Sequence, residues 1–209
     1  MVNRKLVILA FLFLTSLLVS NIIASKLIYF WGIVLPAAVF IFPITFVVTD
    51  TITEVWGEEQ AKEIIWLGFI MNILMIVFLQ VAQLLPPAPH WEHQQAFETV
   101  LGTVPRIVAA SLAAYIISQL HDVWAFNFLK TLTKGHHLWL RNNLSTMASQ
   151  LLDSVIFISL AFGGTVPFSV LLTMIFSQYL VKFIFALLDT PFCYLAVSWA
   201  RNDTKVYEG

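Results

Sequence analysis

The chain has 209 residues, of which 59 % are hydrophobic and 11 % charged, with a net charge of −1. A soluble domain needs about 25 % charged residues to make its surface, so this composition excludes a soluble fold and indicates an integral membrane protein. The balanced charge names no partner, and the single cysteine, Cys193, excludes an intrachain disulfide and a cysteine-only metal cluster.

A transmembrane helix takes about 20 apolar residues, and the chain offers six such runs. The first is Leu6 to about Ser25, behind Met-Val-Asn-Arg-Lys. No Ala-x-Ala cleavage site follows it, so it reads as a retained helix rather than a signal peptide. A short link, Lys26–Trp31, carries the aromatic residues of a membrane interface. The second run, 33–49, contains Pro36 and Pro43. The acidic stretch Asp50–Glu63 follows, then the third run, 64–85, closed by Pro86-Pro87-Ala88-Pro89. A polar loop, His90–Thr103, leads to the fourth run, 104–120. Residues 121–143 mix charge with Trp124, Phe126 and Phe128, which suits an amphipathic helix lying on the membrane surface. The fifth run is 144–162, ending at Gly163-Gly164. The sixth, 167–199, is too long for one upright helix and holds Pro191, so it must tilt, kink or protrude. The expected fold is an all-α membrane protein of six transmembrane helices. It forms one transporter-sized domain over 1–209, with an interfacial helix between the fourth and fifth spans.

Six spans put both termini on one side. Arg4, Lys5, Lys62, Lys130, Lys134, Arg141, Arg201 and Lys205 fall on that side, against Lys26 on the other. Positive residues collect on the cytoplasmic face, so both termini are expected to be cytoplasmic, in a bacterial inner membrane.

Polar residues within apolar spans are costly and face a cavity or a partner. They are Asn21, Asp50, Arg106, Gln119, Gln150, Asp153, Gln178, Lys182 and Asp189. Gln150 and Asp153, three apart, share a helix face, and Gln178, Lys182 and Asp189 fall on one stripe of the sixth helix. One reading makes Arg106, Lys182, Asp153 and Asp189 structural ion pairs. The other makes a polar pocket for a flat, neutral ligand whose adjacent N–H donors a carboxylate accepts together. Asp50 and Glu54, four apart, would repel on a helix and suit a proton-linked role, as Asp189 also would; alternatively Asp50, Thr51 and Thr53 open a solvated helix. His90 and His93 lack a further ligand cluster, no cofactor motif is present, and no motif for hydrolysis or group transfer appears, so no metal, cofactor or enzyme activity is expected. The pairs Ala109/Ala113 and Ala110/Ala114 let helices approach closely, either inside the protein or against another subunit.

Several stretches together resemble one family. They are Ser20-Asn21, Val48-Thr-Asp-Thr-Ile-Thr-Glu-Val-Trp-Gly57, Arg106 to Tyr115, Gln119-Leu-His-Asp122 to Lys130, Arg141 to Thr146, Gln150-Leu-Leu-Asp153-Ser154, and Lys182 with Thr190-Pro191. The sequence is similar in these to the queuosine precursor transporter family, also called the vitamin uptake transporter family, over nearly its whole length. The resemblance implies an inner-membrane importer of 7-cyano-7-deazaguanine, 7-aminomethyl-7-deazaguanine or queuine, without direct contact to tRNA. It implies substrate-binding roles at Asn21, Asp50, Arg106, Gln119, Asp122, Gln150, Asp153 and Lys182. Asp153 would accept from the ring N–H and the exocyclic amine, the glutamines would read the remaining edge, and Arg106 and Lys182 would hold the carboxylates or donate to the carbonyl. The alternative is the substrate-binding subunit of an energy-coupling-factor importer. A homodimer is compatible with either.

Overall fold

A computed structural model describes residues 3–30, 32–133 and 138–201; within them, the side chains of 30, 122, 123, 126, 130, 138–143 and 186–190 lie outside the description. In chain order come α1 (Arg4–Ile23), β1 (Leu27–Phe30), β2 (Ile33–Pro36), a 3-10 turn (Ala37–Phe40), α2 (Pro43–Trp56), α3 (Glu58–Leu84), α4 (Gln94–Leu101), α5 (Val104–Leu132), α6 (Leu138–Phe162) and α7 (Phe168–Arg201). Among the described residues six stretches are long and apolar enough to cross a bilayer: Arg4–Ile23, Ala37–Trp56, Glu58–Leu84, Gln94–His121, Leu144–Phe162 and Phe168–Phe185. Helices are the required solution there, because lipid offers no partner for an open backbone N–H or C=O. Large apolar side chains such as Phe11, Trp66, Phe78, Phe168 and Phe176 point outward, as lipid-facing residues do. This is an all-α, multi-pass membrane protein.

Four details depart from the sequence expectation. The second span does not begin at Ile33. Residues 33–36 pair with 27–30 as a hairpin whose loop includes Gly32 at φ 86°. Such loops require positive φ. Pro43 then opens α2 at its first turn, where a missing N–H costs nothing. Asp50 and Glu54 lie within α2 and not at a helix start; the next start is Glu58, after Gly57 at φ 93°. The loop 90–103 contains a short helix, α4. Finally, among the described residues no separate surface helix follows the fourth span: α5 runs unbroken from Val104 to Leu132 and α6 starts at Leu138. Lys134, His136, His137 and Lys205 lie outside the described residues.

The chain packs as two units. The first contains α1 to α4 and α7 from Lys182 onward. Its core is a stripe of Leu9, Phe13 and Leu17 on α1 against Val48 and Ile52 of α2 and Ala61 and Ile64 of α3. Gly68 lets α1 approach α3 closely: a Cβ there would lie 2.8 Å from Phe13 Cε1 and 2.9 Å from Leu17 Cδ2. Lipid is as apolar as these side chains, so close packing and interhelical hydrogen bonds hold such helices together, not expulsion from water. Lys5 ties the start of α1 to the end of α7, donating through Nζ to the Trp199 carbonyl and lying 5.0 Å over its ring. Arg201 pairs with Glu54 of α2 at the same end.

The second unit contains residues 29–35, α5 from Pro105, α6 and α7 up to Val181. Beside large buried residues such as Ile107, Ile158, Phe162 and Met174, α5 and α6 bury a set of small or hydroxylated ones: Ala110, Ala114 and Ser118 on α5, and Ser145, Ser149 and Ser154 on α6. Ala110 and Ala114, each 1 % exposed, serve internal packing, whereas Ala109 faces outward. Residues of this size bring backbones close enough for van der Waals contact along a whole face. The unit boundary falls inside α7, whose 34 residues would extend about 51 Å at 1.5 Å per residue. That exceeds the roughly 30 Å hydrocarbon layer, and Pro191 lies inside the helix.

Candidate functional site

The polar residues singled out in the sequence divide between the two units. In the first, Asn21 lies on α1 and is 5 % exposed. Its Nδ2 donates to Asn72 Oδ1 at 2.7 Å, and Asn72 Nδ2 donates to the Gly68 carbonyl at 3.0 Å. Asn21 is thus engaged in tying α1 to α3, where a substrate contact was expected. Asn72, 1 % exposed, escaped notice in the sequence although it is an amide in the middle of an apolar run. Asp50 is exposed on α2, and Glu54, one turn on, is exposed and paired with Arg201. Lys62 and Glu58 form an exposed pair across one turn of α3 at 2.7 Å.

In the second unit, Arg106 stands in the first turns of α5. Its Nε donates to the Leu160 carbonyl at 2.7 Å and its Nη2 to the Gly163 carbonyl. Both acceptors belong to the end of α6, where helix carbonyls lack intrahelical donors and carry partial negative charge. Arg106 therefore caps α6, a use different from the expected grip on a carboxylate or a substrate carbonyl. The guanidinium fork suits two acceptors at once.

Gln150 and Asp153 are half-buried on α6, less than one turn apart. Around them, Ser149 Oγ lies 2.9 Å from His121 Nδ1 of α5, and Ser154 Oγ donates to the Gln150 carbonyl at 2.9 Å. His121, expected at an interface, thus links α5 to α6. The His121 ring also meets Trp124, at 5.7 Å between centroids, and Trp124 stacks on Phe128 at 5.5 Å. Gln119 is exposed on α5. Gln178 of α7 is 7 % exposed, and Lys182, one turn on, is half-buried. The side chains of Asp122 and Asp189 lie outside the description.

The second unit also carries a cleft of about 220 Å³ where the hairpin meets the start of α7, lined by Gly32, Val34, Ser169, Val170 and Thr173. Among the described residues no group of three His, Cys, Asp or Glu side chains converges as a metal site would require. The arrangement offers hydrogen-bond donors and acceptors on helices, with a carboxylate and an amide side by side on α6. A carboxylate accepts and an amide both donates and accepts, so such a set has the chemistry to pair with the edge of a flat ligand.

A family model described as "putative vitamin uptake transporter" matches residues 36–196. A Bacillus subtilis protein named "Probable queuosine precursor transporter" is 33 % identical over 187 residues, which cover 89 % of this chain and 82 % of that protein. A Haemophilus influenzae protein of the same name is 32 % identical over 124 residues, 58 % of this chain and 49 % of that one. An Escherichia coli protein named "Queuosine precursor transporter" is 30 % identical over 123 residues, 59 % of this chain and 53 % of that one. The matched segments span about half the length of the last two proteins. No solved structure matches.

Proposed function

The chain belongs to the family described as "putative vitamin uptake transporter", and from that premise we propose that it imports queuosine precursors across a bacterial inner membrane. Its role is transport and not catalysis, and it works as a multi-pass membrane protein. The observation that carries the substrate class is the 33 % identity, over 89 % of the chain, to the Bacillus subtilis protein named for queuosine precursors.

The substrates are the free 7-deazapurines: 7-cyano-7-deazaguanine, 7-aminomethyl-7-deazaguanine or queuine. Asp153 accepts from the ring N–H and exocyclic amine, and Gln150 beside it, with Gln119, reads the rest of the edge. Arg106 supports this by fixing the α6 terminus, and Lys182 supplies a cation on α7. Asp50, Glu54 and Asp189 are the carboxylates for proton coupling. The termini are cytoplasmic, a reading supported by the excess of Lys and Arg on that side and by the Lys5–Trp199 tie, which brings the start of α1 to the end of α7. The chain acts as one transporter domain, without touching tRNA, and a second copy of itself is the macromolecular partner to look for.

The test is complementation. Cells that neither make nor import the precursors, and lack any coupling ATPase, would express the chain and receive each deazapurine at nanomolar concentration. Queuosine in tRNA is the readout. Its restoration by one compound supports transport, identifies the substrate and separates this reading from an energy-coupling-factor subunit. Asp153→Asn should cut uptake sharply at normal membrane abundance. Full transport by that variant would remove Asp153 from the binding site.

A further inference from the structure

We propose that the cleft between the β1–β2 hairpin and the start of α7 is an entry subsite that receives the neutral deazapurine ring before it passes inward; this rests on the import reading above. Three observations carry it. First, the lining contains the hydroxyls of Ser169 and Thr173 and no charged side chain. The Ser169 hydroxyl can donate and accept, and Thr173 Oγ1, which gives its proton to its own helix, can still accept; this suits the mixed edge of a neutral heterocycle, whereas an ion would find no counter-charge. Second, the volume, about 220 Å³, is below the roughly 300–1,000 Å³ of pockets for drug-sized ligands. It suits a small ring system rather than a nucleoside.

Third, a hydroxyl lies inward of the cleft on the same stripe of α7. Ser169, Thr173 and Ser177 follow one another at four-residue spacing, so each stands about 6 Å further along one helix face. Thr173 Oγ1 donates to the Ser169 carbonyl at 3.0 Å, as Ser154 and Ser118 donate to carbonyls of their own helices. Ser177 does not. It is 1 % exposed and its Oγ has no hydrogen-bond partner among the described residues. An unsatisfied buried hydroxyl is destabilising, and its own helix offers a carbonyl that it does not use. The fold leaves its hydrogen-bonding capacity unused, and a ligand moving inward from the cleft would meet it once transport separates the side chains that seal it. The adjacent Gln178 continues the polar character inward.

The experiment uses the full chain in the complemented cells. Thr173→Val and Ser177→Ala should each raise the half-saturating deazapurine concentration about three- to tenfold, the loss of one neutral hydrogen bond, with the maximal rate and membrane abundance kept. In a Cys193→Ser background, Ser169→Cys should react with a membrane-impermeant thiol reagent added outside, and excess 7-cyano-7-deazaguanine should slow that reaction. Unchanged half-saturation in both variants, labelling indifferent to the deazapurine, or labelling only after the membrane is breached would overturn the entry subsite while leaving the import reading intact. No uptake of any deazapurine by the unaltered chain would overturn both.

Discussion

Replacing Asn72 with leucine tests whether the buried amide pair serves the fold. The substitution keeps the side chain's approximate shape and removes the acceptor 2.7 Å from Asn21 Nδ2 as well as the bond to the Gly68 carbonyl. Asn21, 5 % exposed, is then left with a donor that has lost its acceptor. Leaving a buried polar group unpaired costs about 1–3 kcal/mol. Interhelical hydrogen bonds in membranes average about 0.6 and reach about 1.7 kcal/mol, because the separated helices find other partners. The expected loss for Asn72→Leu is therefore about 1–2 kcal/mol, up to roughly a thirtyfold shift in the unfolding equilibrium. The double variant Asn21→Leu, Asn72→Leu removes both polar groups and should be less destabilised than the sum of the two single variants, by about 0.6–1.7 kcal/mol. The assay is unfolding of the purified protein in mixed micelles, followed by the fluorescence of its seven tryptophans. Uptake per folded molecule should keep its half-saturating concentration in the Asn21 variant. Wild-type stability of Asn72→Leu, strict additivity in the double variant, or a tenfold rise in half-saturation for Asn21→Leu would refute the structural role.

Three further outcomes follow from the same geometry. Gly68→Ala should destabilise the first unit by about 1–3 kcal/mol, since the new methyl meets Phe13 and Leu17 inside 3 Å; Leu17→Ala in the same chain should recover part of the loss, measured by the same unfolding titration. Arg106→Lys should lower stability nearly as much as Arg106→Gln, by about 1–2 kcal/mol, because an ammonium cannot span the Leu160 and Gly163 carbonyls as the guanidinium fork does; a fully stable Lys variant with impaired substrate affinity would reassign Arg106 to the ligand. Glu54→Gln should change stability by less than about 1 kcal/mol, since its pair with Arg201 is exposed, so a flattened pH dependence of uptake in that variant would report proton coupling rather than misfolding.

The spans were legible in the sequence because bilayer thickness imposes a length on apolar runs: α1, α3 and α6 were readable from hydrophobicity alone. Their boundaries were less so. Leu27–Phe30 and Ile33–Pro36 are apolar in any conformation, and a short apolar run does not distinguish strand from helix; Gly32 between them was the available signal. The aromatic and charged mixture after His121 suggested a surface helix, yet 121–132 contains neither Gly nor Pro, so nothing breaks α5 there. The same absence explains why α4 forms within a polar loop.

The candidate site was legible as a set of residues and not as a set of partners. A polar side chain in an apolar span announces that something satisfies it, but the sequence does not say whether that is a helix or a ligand. Asn21 finds Asn72, and Arg106 finds two backbone carbonyls, which have no sequence signature at all. Both residues spend at least part of their hydrogen-bonding capacity on the fold. Ser177 shows the opposite case: an unremarkable serine in sequence, buried in the structure without the bond its own helix could provide. In a transporter, where a ligand must meet open polar groups along its path, the residue whose capacity the fold leaves unused is the better guide to that path than the residue whose charge is most conspicuous in the sequence.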